Sequence, residues 1–180
     1  MLKPKPMSLA VKVGILSDTH GHVDERVLEV IADCDFAIHA GDICGAHILE
    51  KLKPRIDVIA VAGNNDHAAL WHEDEAEIVS ALPHSTQLQL PGGLVIIEHG
   101  HRLGHHPDHD QFRWDHAEAK LVVYGHTHKR IIDQSAEPWV INPGAAGKVR
   151  NHGGPSCLIL HASESHWRIE TVLFNDSVAA

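Results

Sequence analysis

The sequence predicts an α/β fold: two β-sheets packed as a sandwich, with helices on the outside. Three observations carry the prediction. Residues 10–66 alternate strand, helix, strand, helix and strand, most segments after residue 85 read as strands, and the strands stop at polar loops that carry a glycine. The first feature marks parallel βαβ units, the second adds a further sheet, and the third puts polar groups at the carboxyl ends of strands. At 180 residues the chain can bury a substantial core. It reads as a single domain over 10–174, with a flexible leader over 1–9 and a tail over 175–180.

Residues 10–16 (AVKVGIL) alternate loosely and then turn apolar, as a strand entering a core does, and Ser17-Asp18-Thr19-His20-Gly21 stops them. Residues 24–32 read as an amphipathic helix with Val27, Leu28, Val30 and Ile31 on one stripe and Asp24 as N-cap. A strand over 36–40 ends at Gly41-Asp42, a helix over 46–53 stops before Pro54, and a strand over 57–62 ends at Gly63-Asn64-Asn65-Asp66. Residues 67–84 are acidic and histidine-rich without a clear period, and read as a short helix and an irregular connection. Thr86 to Leu90 alternates, Pro91-Gly92-Gly93 signals a hairpin, and the strand from Leu94 to Glu98 ends at His99-Gly100-His101. After a loop over 102–109 and a helix over 110–119 comes Leu121-Val122-Val123-Tyr124-Gly125-His126-Thr127-His128, an apolar run suited to one buried central strand that stops at a glycine and a His-x-His. Strands over 129–134, 138–142, 156–161 and 167–174 follow, the last two as an antiparallel edge.

Composition excludes several classes. A formal charge of −9 argues against general nucleic-acid binding, which needs a basic surface to displace counterions. No stretch is long and apolar enough for a membrane span, and residues 1–7 lack the apolar core of a signal peptide. Cys34, Cys44 and Cys157 are odd in number and widely spaced, which argues for reduced thiols in a cytoplasm rather than a disulfide framework or a thiolate metal site. Eighteen histidines are the anomaly, and their placement matters more than their number.

At the strand ends stand Asp18, His20, Asp42, Asn64, His99, His126 and His128, all oxygen or imidazole donors. Seven such groups exceed what one four-coordinate metal can use and fit two ions of higher coordination sharing a carboxylate. Mixed oxygen and nitrogen ligation suits Mn, Fe, Co, Ni or Zn better than Ca or Mg. Asp or Asn alone at a strand end would be an ordinary turn residue, but that reading fails for the set.

Ser17-Asp18-Thr19-His20, Gly41-Asp42, Gly63-Asn64-Asn65-Asp66, His99-Gly100-His101 and Gly125-His126-Thr127-His128, in this order, resemble the calcineurin-like metallophosphoesterases, and among them the small prokaryotic phosphodiesterase branch. The Asn142-Pro143-Gly144 turn is similar too, and the likeness spans about residues 11–174. The resemblance implies a four-layer α/β/β/α fold with two divalent ions per chain, Mn first and Fe, Ni, Zn, Co or Mg as alternatives. Asp18, His20 and His128 would hold one ion and Asn64, His99 and His126 the other, with Asp42 bridging. It further implies a phosphoesterase, a phosphodiesterase before a monoesterase, in which a hydroxide shared by ions about 3.5–4 Å apart attacks a small phosphate ester in line. Asn64, Asp66 and His101 are the catalytic candidates, and Asn64, Asn65 and His101 the substrate-binding ones; Asp66 is read as orienting a ligand or His20.

This sequence departs from the family at Asn65, where histidine often stands as general acid. An amide cannot relay a proton, so either the leaving group departs unaided or His101 or His67 takes the role. His105, His106 and His109 are read as a solvated loop rather than a third metal site, His39 as a packed, hydrogen-bonded core residue, and Cys44 as a buried small side chain. The tryptophans are read as packing residues, with Trp71 or Trp114 as candidates to line a pocket. A homo-oligomer is an open expectation. The alternative of another class is a non-catalytic scaffold, because a retromer subunit of this fold binds proteins and has degraded metal motifs. Here all seven donor positions are filled, which favours the enzyme. A histidine-rich metal store would not need this strand-end order.

Overall fold

Alternation of apolar side chains along the central strands decides what packs on what in the computed structural model, which describes residues 10–175. The leader expected at 1–9, and the tail apart from residue 175, lie outside the described residues. The strands are β1 (Val11–Leu16), β2 (Phe36–His39), β3 (Asp57–Ala60), β4 (Ser85–Leu90), β5 (Gly93–Glu98), β6 (Leu121–Val123), β7 (Arg130–Asp133), β8 (Trp139–Pro143), β9 (Ser156–Ala162) and β10 (Trp167–Leu173). The helices are α1 (Glu25–Ala32), α2 (Ala46–Lys51), α3 (Ala76–Ala81) and α4 (His109–Asp115).

Two five-stranded sheets form, in the orders β10-β9-β1-β2-β3 and β4-β5-β6-β8-β7. Side chains alternate between the faces of a strand, so each central strand serves two interiors. Val13, Ile15, Ile38, Leu158 and Leu160 of the first sheet meet Val95, Ile97, Leu121, Val123 and Ile141 of the second between the sheets. The outward neighbours Leu16, Ala37 and Cys157 pack with Val27 and Ile31 of α1, Ile48 of α2 and Val79 of α3. On the far side Ile96, Val122 and Val140 pack with Phe112 of α4 and with Tyr124. The result is the two-sheet sandwich flanked by helices that the sequence predicts.

In the first sheet β1 runs parallel to β2 and β2 to β3, and in the second β5 runs parallel to β6 and β6 to β8. The loops after β1, β2, β3, β5 and β6 carry the expected donors. The β9–β10 pair is antiparallel at the edge of the first sheet, as expected.

Two helix ends differ from expectation. α2 stops at Lys51, because Lys53 precedes Pro54 and the residue before proline avoids the helical region. α4 is capped by the Asp108 side chain on the Asp110 N–H and leaves helical geometry at His116, rather than running to residue 119. There the His116 ring turns to Glu98, with Nε2 3.0 Å from Oε1, and a turn carries the chain to β6. Among the described residues no helix is long and apolar enough to cross a membrane.

Candidate metal centre

The strand-end loops hold their donors in unusual backbone conformations. Eight described residues other than glycine have φ in the left-handed region, and five of them are Asp18 (54°), His20 (45°), Asp42 (53°), His126 (67°) and His128 (60°). Each such residue costs about 1–3 kcal/mol and persists only where its surroundings demand it. Gly63 shows how tightly the loops are drawn together, since a Cβ there would run into Asp42. At Gly41 a Cβ would lie 2.6 Å from His99 Nδ1.

The structure brings Asp18, His20, Asp42 and His128 together, with one ligand atom from each within 4.8 Å of all the others. His20 Nε2 lies 3.1 Å from His128 Nε2 and 3.6 Å from Asp42 Oδ2. His128 Nε2 lies 3.5 Å from Asp18 Oδ1. Asp18, Asp42 and His128 are buried, and His20 is half-buried. On the other side of Asp42, its Oδ1 is 3.3 Å from His99 Nε2. The His99 and His126 rings meet edge to face at 5.3 Å, and His126 Nδ1 lies 3.0 Å from Oδ1 of the exposed Asn64. All seven expected donors thus line one rim, with Asp42 between the two groups.

The ring orientations show what these donors can hold. His99 Nδ1 faces the Ala40 carbonyl at 2.8 Å and His128 Nδ1 the Val149 carbonyl at 2.7 Å. A carbonyl only accepts, so both Nδ1 atoms carry the hydrogen, and in the neutral rings the Nε2 lone pairs point into the site. His99 Nε2 is buried without a hydrogen-bond partner and faces a carboxylate oxygen. Burial works to lower the His99 pKa, but the Asp42 and Asp18 carboxylates outweigh it and raise it, so without metal a proton meets Asp42 there. A donor set of carboxylate, imidazole and amide oxygen without thiolate fits a divalent transition ion in its place.

Burial pushes His126 and His128 down to about 4, so at neutral pH both rings are in the form that binds metal. Burial pushes the Asp18 carboxyl up to about 7. Burial also works to raise Asp42, but close His99 and two donors from Asn65 outweigh it and hold it well below the usual carboxylate range.

Asn65 donates from its main-chain N to Asp42 Oδ1 (2.9 Å) and from Nδ2 to Oδ2 (2.8 Å). Asp66 does not touch the His20 ring. Its carboxylate accepts from the N–H groups of Ile43, Cys44 and Gly63 and from the indole of buried Trp71, so it ties the Asp42 loop to the Asn64 loop through backbone. His101 is exposed, its ring 5.5 Å from that of His99, and burial of its inner edge lowers its pKa. His67 lines a cleft with Val79 and Leu82 that contains none of the seven donors.

Four further expectations are corrected or refined. Cys44 is only half-buried, because the left-handed turn after Asp42 directs its Sγ to within 3.8 Å of His20 Nδ1 instead of into the core. Of the loop histidines, His105 and His106 are exposed, but His109 is docked, with Nδ1 2.7 Å from Asp133 and Nε2 3.1 Å from the Tyr124 hydroxyl. His39 is buried and bonded to Thr19 through Nε2, while its Nδ1 has no partner. Trp114 is 83% exposed and is not a packing residue.

Sequence reasoning missed other participants. Ser17 Oγ donates to Asp18 Oδ2 at 2.6 Å, and Asn142 Nδ2 donates to the Gly125 carbonyl at 2.6 Å, bracing the first and last loops. His105 stacks on His126, with centroids 4.9 Å apart and planes 15° apart. Arg150 reaches His128 Nε2 at 3.2 Å. Ser17 and Asn142 stand inside recognisable blocks, whereas nothing local marks His105 or Arg150.

A two-sheet sandwich whose strand-end loops gather carboxylates and imidazoles at one rim is the architecture of a metallophosphoesterase. The chain belongs to the calcineurin-like phosphoesterase superfamily, whose domain model matches residues 11–165. A phosphodiesterase of Methanocaldococcus jannaschii is 28% identical over 143 residues, covering 74% of this chain and 83% of that one. Among solved structures, an archaeal phosphodiesterase superposes with a TM-score of 0.67 at 24% identity, covering 89% of this chain and 99% of the other. A single mutant of Vps29 from Entamoeba histolytica superposes with a TM-score of 0.70 at 18% identity, covering 91% and 99%. At these identities the two structures speak for the fold.

Proposed function

We propose that this chain is a metal-dependent phosphoesterase that acts on phosphodiesters in preference to monoesters. The observation that carries the reading is the buried convergence of Asp18, His20, Asp42 and His128, continued through Asp42 to the orphaned Nε2 of His99. Asp18, His20 and His128 would hold one ion and Asn64, His99 and His126 a second, with Asp42 shared. When bound, two such ions supply Lewis acidity that neutralises phosphoryl charge and lowers the pKa of water.

The protein's own groups do the rest. Ala40 and Val149 fix the two ring tautomers through their carbonyls, and Asn65 and Asp66 hold the Asp42 carboxylate and its loop. Asn64, Asn65 and His101 stand where they can donate hydrogen bonds to a phosphoryl oxygen. His101, with its pKa lowered, is neutral at pH 7 and serves as an N–H donor rather than as a proton reservoir. On this reading Asn65 supplies no acid, which favours substrates whose leaving group departs without full protonation.

The diester preference has two supports. The Methanocaldococcus relative is named a phosphodiesterase. A diester also has two organic arms, and two clefts open beside the loops of His99 and His126: one of about 480 Å³ lined by His99 and His101, and one of about 280 Å³ lined by His105 and Thr127. Mn is the first ion to test, and the three free thiols agree with a cytoplasmic setting. The fold alone would also allow a scaffold role; the complete set of seven donors and the relative named a phosphodiesterase favour the enzyme.

Chelator-treated protein assayed on a bis-aryl phosphodiester and an aryl phosphomonoester, with Mn²⁺, Ni²⁺, Zn²⁺ or Mg²⁺ restored, tests the reading. Metal-dependent turnover, faster on the diester, is expected. Turnover that no metal restores refutes the enzyme.

A further inference from the structure

Arg150 has no part in the donor set, yet its guanidinium is aimed at it. Nη2 lies 3.2 Å from His128 Nε2, the atom that faces Asp18 and His20. The same short segment thus holds both nitrogens of one ring, Val149 through its carbonyl on Nδ1 and Arg150 on Nε2.

The segment is fixed from several sides. A Cβ on Gly147 would lie 2.6 Å from the His22 carbonyl, so the chain there packs directly on the loop that carries His20. Asn151 Nδ2 donates to the Gly147 carbonyl at 3.1 Å, and Arg150 itself takes φ +49°. The backbone at Arg150 is thereby held, and its exposed side chain reaches across to the His128 ring.

Among the described residues Arg150 has no carboxylate partner, although Asp and Glu outnumber Lys and Arg by 24 to 15 in the chain. A guanidinium and a divalent cation cannot share the one lone pair on His128 Nε2, and side by side they repel each other. An anion with oxygens for both removes the conflict, and the planar fork of arginine matches a phosphoryl group edge-on.

Building on the phosphoesterase reading, we propose that Arg150 binds the non-bridging oxygens of the substrate phosphoryl group, clamping it over the Asp18, His20, Asp42 and His128 cluster. Arg150 is then a specificity-determining residue: it selects tetrahedral oxyanions at this rim and orients the ester.

Calorimetric titration of inorganic phosphate into Mn²⁺-loaded wild type, Arg150→Ala and Arg150→Lys tests this, together with titration of Mn²⁺ into each metal-free protein and KM for a bis-aryl phosphodiester. Phosphate affinity should fall about ten- to a hundredfold in Arg150→Ala, as for a lost hydrogen bond between charged groups, and KM should rise while Mn²⁺ affinity stays unchanged. Arg150→Lys should recover part of the loss. Unchanged phosphate affinity and KM in Arg150→Ala, in a wild type that does cleave the diester, overturns the role of Arg150 alone. So does a gain in Mn²⁺ affinity without a loss of phosphate binding, which would make Arg150 a stand-in cation. Loss of Mn²⁺ binding in both variants would make it a structural support of His128 and overturn the proposal as well. A wild type that binds Mn²⁺ but neither binds phosphate nor cleaves the diester overturns the phosphoesterase reading and Arg150 with it.

Discussion

Asn65 stands where the family often carries a histidine, and its two bonds to Asp42 show the work it does instead. It steadies the carboxylate that both donor groups share. Asn65→Ala removes the Nδ2 bond and leaves the main-chain bond in place, so turnover of an activated aryl diester should fall about tenfold, the low end for one bond to a charged group. A loss beyond about a hundredfold in steady-state kinetics would show that Asn65 does more than hold the Asp42 carboxylate, and would contradict this reading. The two histidines of the last loop should separate just as clearly. His126 sides with Asn64 and His99, and His128 with Asp18 and His20, so elemental analysis should find one ion per chain in His126→Ala and in His128→Ala, each with a different affinity. Retention of two ions in either variant contradicts the assignment. The seven donors were legible in the sequence because residue type and strand-end position mark them. Ala40 and Val149 were not, since a carbonyl has no residue identity, and Arg150 lies 22 residues from the histidine it touches.

At the scale of elements, α4 is the segment the sequence placed least well. Its hydrophobic signal is short, and polar contacts decide its limits. Asp133 of β7 accepts from His109 at 2.7 Å and from Arg113 at 2.8 Å, both on α4, and also from the Ser135 N–H and hydroxyl. A histidine counted as solvated loop therefore begins a helix and pins it to the second sheet. The Ser135 hydroxyl, then His109 and Arg113, hold the Asp133 carboxyl well below its ordinary 3.8. The folded state thus keeps fewer protons than the unfolded one in that range, and the contribution is present above about 3.8 and lost on acidification below it. Asp133→Asn should cost about 1–2 kcal/mol in urea unfolding at pH 7, reduced from the value for a buried pair because the side chain is 21% exposed. The gap should narrow as pH drops below about 4, and a gap that widens there would contradict this account.

For the molecule as a whole, the sandwich was legible because the apolar runs of β5 and β6, and the apolar end of β1, mark strands buried on both faces, one toward the partner sheet and one toward helices. What the pattern does not state is how the two sheets sit on each other, and it is that packing which brings Asp42 of the first sheet within 3.3 Å of His99 of the second. The convergence is a property of the sandwich rather than of either sheet, and Asp42, which stands between the two groups, is the ligand we propose they share. Hydrolysis of a bis-aryl phosphodiester by Mn²⁺-supplemented wild type and Asp42→Ala, both checked for folding by circular dichroism, is the most direct measurement of that claim. The account predicts metal-dependent turnover in the wild type and a loss of more than about a hundredfold in the variant, beyond what the removal of a supporting contact produces. Equal turnover in the two proteins, or none in either, would contradict it.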